Sequence, residues 1–208
     1  MLQTDIPGYD EARIRLVEIG NAGFTLAFNY TALGAELLDN TVPQAWQESY
    51  VRNGIFMHDP VFQWIISHAA EGGYTRWSEV EIPDPMGIMR AAATHGMRFG
   101  FTATQLVNNA HSFLSIARSD RELADEEIRW AYANFTYWVD LLYNRASLTD
   151  GEIGVLAALR DGLDNRAAAQ LLHVSEATIR YRSGQAQEKL KAETRTQAVA
   201  IAIRRKFI

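Results

Sequence analysis

Trp46, Tyr50, Asp59 and Trp77 are the residues of the N-terminal half whose types could hold a small polar molecule. Indole and phenol rings combine a large apolar face with one hydrogen-bonding tip. Trp46 and Tyr50 stand one helical turn apart, so they share a face. Taken alone, these residues describe an aromatic pocket with one carboxylate. Each also has a plainer explanation: core packing for the rings, and a turn or helix cap for Asp59 before Pro60. Catalytic groups are missing. The chain has no cysteine, which removes thiolate nucleophiles, disulfides and cysteine metal sites. Its histidines, at 58, 68, 95, 111 and 173, show no metal-ligand spacing, and no Gly-rich phosphate loop occurs. His58 and Asp59 are adjacent, but adjacency does not place their side chains in contact. The expectation is a protein that is not an enzyme, with no catalytic residue, no metal and no cofactor.

A second group of residues points to different chemistry. Residues 164–190 read as a short Ala/Leu-rich helix, a tight turn at His173-Val174-Ser175, and a second helix carrying Arg180 and Arg182. That is a helix-turn-helix pattern, whose second helix enters a major groove of DNA. Ile179, Ala186 and Leu190 form an inward stripe, while Arg180, Tyr181 and Gly184 point away from it. Arg180 is therefore the residue to place at a base edge, where a bidentate arginine–guanine contact carries roughly 1–3 kcal/mol of discrimination. Thr178 and Tyr181 lie beside it on the same helix. Arg182, Lys189 and Lys191 suit phosphates.

The elements that must position these groups can be read in outline. Residues 10–20 are helical, with Ile14, Val17 and Glu18 in period. Residues 24–30 and 36–40 are short β-favouring runs. Pro43 opens a helix at a position where its missing N–H is harmless, and residues 61–69 form another, ended by Gly72-Gly73. Residues 74–77 suit a short strand, and 84–95 a helix closed by Gly96. Residues 101–107 and 111–117 alternate around Asn108-Asn109, a hairpin signal. A long helix over about 124–145 carries Ile128, Ala131, Phe135, Trp138 and Leu142 on one stripe, with Trp130, Tyr137 and Leu141 on an adjacent one. In the last sixty residues, Thr149 and Glu152 make a capping box, Gly162 ends a helix, Asp164 and Ser175 cap the next two, and residues 196–205 form a closing helix with Val199, Ala200 and Ile203 on one side. The expected fold class is α+β: an N-terminal α/β/α sandwich over a mainly antiparallel five-stranded sheet at 1–146, and an all-α four-helix domain at 147–208.

Composition agrees. A hydrophobic content of 48% over 208 residues supports a substantial core. No apolar run reaches the length of a membrane span and no secretion signal is visible, so a cytoplasmic protein that does not engage membranes is expected. The net charge of −5 is uneven. Residues 147–208 hold ten Lys and Arg against seven Asp and Glu, a net of +3, which leaves −8 on the remainder. An acidic controlling domain and a mildly basic DNA-facing one fit that split.

The spacing of these motifs resembles a known family. Leu148-Thr149, Glu152, Leu156, Gly162, Thr178-Ile179 and Lys189-Leu190 are similar to the head of LuxR-type regulators, and the closing Ala200-Ile-Ala-Ile-Arg-Arg-Lys-Phe-Ile208 is most like the TraR branch. Trp46, Tyr50, Asp59-Pro60, Trp77, Gly96 and Gly100 resemble, in order and spacing, the family's acyl-homoserine lactone-binding domain. The resemblance covers nearly the whole chain. It implies a quorum-sensing transcription regulator that binds an N-acyl-homoserine lactone and, as a homodimer, a palindromic operator, and that is nucleoid-associated when bound to DNA in a bacterial cytoplasm. It further implies that the Trp46 indole donates to the lactone carbonyl, Asp59 accepts from the ligand amide, Tyr50 donates to the acyl carbonyl, Trp77 packs on the lactone ring, and Ser115 reaches the acyl group. Asp59 would be buried without a donor until the ligand supplies one. The chain departs from the family at Gly151, Gly154, Thr104 and Gly184; the last stands where the TraR branch has a base-reading arginine. Two other readings are an orphan regulator that senses another molecule or none, and an anti-activator acting by heterodimerisation.

Overall fold

In the computed structural model the described residues are 2–31, 33–52, 54–143, 148–205 and 207–208. They fall into two compact units, Met1–Leu142 and Tyr143–Ile208. The boundary expected at 146/147 lies outside the described residues.

The first unit is built on five strands, β1 (Gly23–Phe28), β2 (Leu37–Asn40), β3 (Gly73–Arg76), β4 (Phe99–Val107) and β5 (Ala110–Arg118). Their order is β2-β1-β5-β4-β3 and every pairing is antiparallel. The β4–β5 hairpin turns on Asn108 and Asn109, with φ of 50° and 61°. Two successive left-handed residues are what a two-residue turn needs to match strand twist, and asparagine tolerates them. Helices α1 (Leu2–Asp5), α2 (Tyr9–Ile19) and α6 (Asp125–Tyr143) serve one face of the sheet; α3 (Gln44–Arg52), α4 (Pro60–Ser67) and α5 (Ile88–Thr94) serve the other. The α6 stripe of Ile128, Ala131, Phe135, Trp138 and Leu142 is fully buried, and Trp138 meets Tyr9 of α2 edge to face at 5.6 Å. Each such large side chain contributes about 1.5–3 kcal/mol by leaving water.

Two sequence expectations need correction here. The buried residues of α2 are Tyr9, Leu16 and Ile19, whereas Ile14 and Val17 are 63% and 45% exposed. The helix is as expected, but its apolar periodicity marks an outer face. Helix α5 begins at Ile88 rather than near Asp84, because Pro85 and Gly87 (φ 65°) intervene. Asp84 caps it from outside, accepting from the Ile88 and Met89 amides at 2.8 and 2.9 Å.

The second unit contains α7 (Asp150–Arg160), α8 (Asn165–Leu171), α9 (Glu176–Lys189) and α10 (Arg195–Arg204). Its caps are those in the sequence: Thr149 and Glu152 bond reciprocally, Asp164 caps α8 and Ser175 caps α9. Gly162, at φ 80°, lets the chain leave α7. Two small cores hold the four helices. One joins Leu148, Leu156, Ala186, Leu190, Ala198 and Ile201; the other joins Val155, Ala158, Ala168, Ala169 and Ile179. Within α10 the inward residues are Ala198, Ile201 and Ala202; Val199, expected on the outer side, packs partly buried against the first of these cores, which leaves Ala200 and Ile203 outermost, with Ile203 47% exposed.

Candidate functional site: a ligand site and a DNA-facing helix

Helix α3 starts just after Pro43, whose carbonyl accepts from the Trp46 amide at 3.0 Å. Its inner face carries Trp46 and, one turn on, Tyr50, with ring centroids 5.4 Å apart. Trp46 is buried and leans on His95 at 5.6 Å. Asp59 sits at the start of α4 as its N-cap. Its Oδ1 accepts from the amides of Val61 at 2.8 Å and Phe62 at 3.4 Å, which Pro60 at the first helical position leaves available. Its Oδ2 accepts from the Tyr50 hydroxyl at 2.5 Å. Trp77 follows β3 and opens a 3₁₀ turn, Trp77–Glu79. Its ring lies flat on the backbone of β4: a Cβ on Gly100 would fall 2.2–2.6 Å from three ring carbons. Trp46, Tyr50 and Trp77 pack on one cluster with Ile88, Ala92, Met97 and Ala117.

The structure thus brings together four of the five residues expected to bind ligand. Ser115 stands on β5 between Phe113 and Ala117, which both face this side of the sheet. It is half-buried, and its register neighbours are Thr25 and Thr102. Thr102 is in turn opposite Thr75, and Thr25 opposite Asn40. A row of five polar side chains, Asn40–Thr25–Ser115–Thr102–Thr75, therefore crosses this sheet face. Sequence reasoning found Ser115 alone. The other four depend on register, which pairs residues from four separate segments.

The electrostatics centre on Asp59. Tyr50 and Asp59 keep some accessible surface, yet burial is the first cause of the raised Asp59 pKa; the Tyr50 hydroxyl and the Val61 and Phe62 amides pull it the other way. Burial, then the Asp59 charge, also raises the Tyr50 pKa, so the phenol keeps its proton. The expectation that Asp59 is buried without a donor is overturned. It has three, because its place before Pro60 makes it a helix cap as well as a pocket residue. Among the described residues of this site, it is the Trp77 indole N–H that is buried without a hydrogen-bond partner.

On α9, Arg180 and Tyr181 are exposed, and Arg180 is 3.6 Å from Glu176 one turn earlier. Thr178 is tied into the cap: its amide and hydroxyl both meet Ser175 Oγ. Arg182 lays its guanidinium over Gly151 of α7, where an added Cβ would come within 2.7 Å of Arg182 Cζ. Lys189, expected at phosphates, has its ammonium 2.8 and 2.9 Å from the two oxygens of Glu152. Nothing lies within 4 Å of a Cβ built on Gly184. The open face of α9 thus presents Arg180 and Tyr181 followed by a gap.

An aromatic cluster around one carboxylate in an α/β/α unit, carried on the same chain as a helix-turn-helix unit, fits a DNA-binding regulator controlled by a small molecule. Comparisons specify which. The family model for the autoinducer binding domain matches residues 12–146, and that for bacterial regulatory proteins of the luxR family matches residues 146–202. Transcriptional activator protein VanR of Vibrio anguillarum is 27% identical over 198 residues, covering 86% of this chain and 81% of that protein. The HTH-type quorum-sensing regulator RhlR of Pseudomonas aeruginosa is 24% identical over 201 residues, covering 85% and 82%. Escherichia coli SdiA in complex with octanoyl-rac-glycerol shares the fold with a TM-score of 0.52 at 20% identity, covering 94% of this chain and 86% of that one. The chain belongs to the LuxR family of quorum-sensing transcription regulators, with an autoinducer-binding domain and a luxR-type DNA-binding domain.

Proposed function

We propose that the first unit takes up an N-acyl-homoserine lactone over the Tyr50–Asp59 pair, and that the loaded protein binds a palindromic operator as a homodimer through α9. The observation that carries this reading is the pair itself, walled by Trp46 and Trp77. A carboxylate, a phenol and two indoles are the complement of an amide flanked by two carbonyls, and an apolar setting with few placed polar groups suits such an amphiphile. On binding, the ligand amide donates to Asp59, which frees the Tyr50 hydroxyl for the acyl carbonyl. Trp46 donates to the lactone carbonyl, Trp77 covers the ring, and Ser115 reaches the acyl group from the sheet. The orphan Trp77 N–H supports an acceptor arriving from outside, since buried donors are rarely left unpaired. On DNA, Arg180 and Tyr181 face bases, Thr178 sits at the helix start beside them, and Arg182 reaches phosphate by swinging off Gly151. Lys189 acts chiefly by holding α9 to α7. The exposed Ile203 side of α10 supports pairing of two heads. That no helix among the described residues is long and apolar enough to cross a membrane fits a cytoplasmic home.

One observation favours a second reading. Asp59 already has three donors, so a ligand without an amide N–H would leave it satisfied. An acylglycerol, the kind of molecule bound in the SdiA structure, offers hydroxyls instead. Mass spectrometry of small molecules extracted from protein purified out of cells fed a lactone mixture separates the two. Recovery of an acyl-homoserine lactone in near-stoichiometric amount is expected. Recovery of an acylglycerol alone supports the second reading, and no ligand in either case sinks both.

A further inference from the structure

Helix α9 sends a stripe outward at four-residue spacing, in which Glu176, Arg180, Gly184 and Glu188 are all exposed. The other two cations of this helix are turned elsewhere, Arg182 over Gly151 and Lys189 onto Glu152. Arg180 is left to the open face, and its neighbour there is an acid. Glu176 Oε2 lies 3.6 Å from Arg180 Nη1, with the two side chains 48% and 55% exposed.

An acid beside the groove-facing arginine works against attraction to phosphates. Part of its presence is local. Glu176 is the first residue of α9, where a carboxylate meets the positive end of the helix dipole, and glutamate four residues before a cation is the favourable order. The helix does not need it as a cap, because Ser175 already accepts from the Thr178 amide at 3.1 Å. The carboxylate is therefore free to act outward, with one oxygen turned to Arg180. The first residues of a recognition helix are those that meet base edges, and both members of the pair stand there. Glu188 lies at the far end of α9. Between them Gly184 offers no side chain, so the readout of this stripe is concentrated in Glu176 and Arg180.

We propose that Glu176 is a specificity-determining residue for the operator: one carboxylate oxygen holds the Arg180 guanidinium on a guanine, and the other accepts from the N4 amine of a neighbouring cytosine. Arginine on guanine O6 and N7 and glutamate on cytosine N4 are the matches that major-groove chemistry allows these two side chains. Water screens the pair in the free protein; inside a groove that screening falls and the attraction between the two strengthens. The inference rests on the reading of α9 as the operator-binding helix and adds a second base position to it.

The test is selection of sites from a randomised duplex library by the full chain, purified from cells fed a mixture of N-acyl-homoserine lactones. Gel shifts on every single-base variant of the winning half-site follow. Wild type should select a guanine with a cytosine beside it, each preferred by about fivefold or more. Glu176→Ala should lose the cytosine preference, weaken the guanine preference, and bind random-sequence DNA at least as tightly as wild type, since a negative charge has left the face. Glu176→Gln should admit adenine at the cytosine position, because an amide matches adenine N6 and N7. Glu176→Ala that keeps both preferences within about twofold, or that loses affinity equally for every sequence, overturns the inference and leaves Glu176 a helix-start residue only. Wild type that selects no sequence overturns the operator reading of α9 and this inference together.

Discussion

Tyr50 donates its hydroxyl to Asp59 Oδ2 at 2.5 Å, across nine positions of sequence and between two different helices. The pair joins α3 to the start of α4 and leaves Asp59 with donors on both oxygens. Tyr50→Phe removes one donor and the group proposed to meet the acyl carbonyl. A hydrogen bond to a charged group is worth about 1.5–3 kcal/mol, so lactone affinity should fall by about tenfold to a hundredfold, read by calorimetric titration. An unchanged affinity would mean that Tyr50 serves only packing.

The same pair sets a pH dependence. The folded-state pKa of Asp59 is raised above its ordinary 3.8, first by burial. The folded state therefore holds the proton more tightly than the unfolded one. Stability attached to this group is greatest below the ordinary value and declines as pH rises through the window between the two pKa values. Asp59→Asn keeps a capping side chain and removes the charge. Its melting temperature relative to wild type should become more favourable as pH climbs from below 4 towards neutral, with lactone binding lost throughout. A relative melting temperature that moves the other way would show that Asp59 is stabilised as a carboxylate.

Gly100 is required by Trp77. A methyl group there overlaps the indole, and both ring and strand backbone resist displacement. Gly100→Ala should destabilise the first unit by about 1–3 kcal/mol, a loss of roughly 2–4 °C per kcal/mol in melting, and should abolish ligand binding by pushing Trp77 into the site. Normal lactone affinity in this variant would show that Trp77 does not contact the ligand.

In the second unit, Glu152 and Lys189 fasten the start of α7 to the end of α9. Burial acts to raise the Glu152 pKa, but the Lys189 ammonium and the Thr149 amide outweigh it and leave it below the ordinary 4.5. A depressed carboxylate stabilises above its unfolded pKa and loses that contribution as pH falls through the folded one. Lys189→Met should cost on the order of 2 kcal/mol, less than for a sealed pair because the lysine side chain is 33% exposed. It should also flatten the acid limb of the stability profile. Its DNA affinity should keep the wild-type salt slope, whereas loss of a phosphate contact would lower that slope by about 0.9.

On the recognition helix, Arg180→Ala should cost about 1–3 kcal/mol of operator binding and relax preference at one base pair. Gly184→Ala should behave oppositely. The position opens onto empty space, so the substitution should stabilise α9 by about 0.8–1 kcal/mol and leave operator affinity intact. A gel-shift series on a randomised half-site reads both, and a binding defect in Gly184→Ala would place DNA backbone against that glycine.

Much of this was legible in the chain. Caps, the Asn108-Asn109 turn and the α6 stripe are local signals, set by residues within a turn of one another, and they give the sheet hairpin and all four helices of the head. The site residues were legible through spacing, but their partners were not. That Tyr50 serves Asp59, that Lys189 serves Glu152, and that Arg182 rests on Gly151 depends on contacts between elements far apart in sequence. Ile14 and Val17 show the converse: apolar period identifies a helix but does not say which side faces the sheet.

The most direct test is a thermal melt of the full chain with and without a panel of N-acyl-homoserine lactones, beside Asp59→Asn. Ligand that binds only the folded protein stabilises it by RT ln(1 + [L]/Kd) and so raises its melting temperature. A rise for wild type with at least one lactone that is absent in Asp59→Asn is predicted. No rise for any lactone, or an equal rise in both proteins, would contradict the assignment of the Tyr50–Asp59 pair as the signal-binding site.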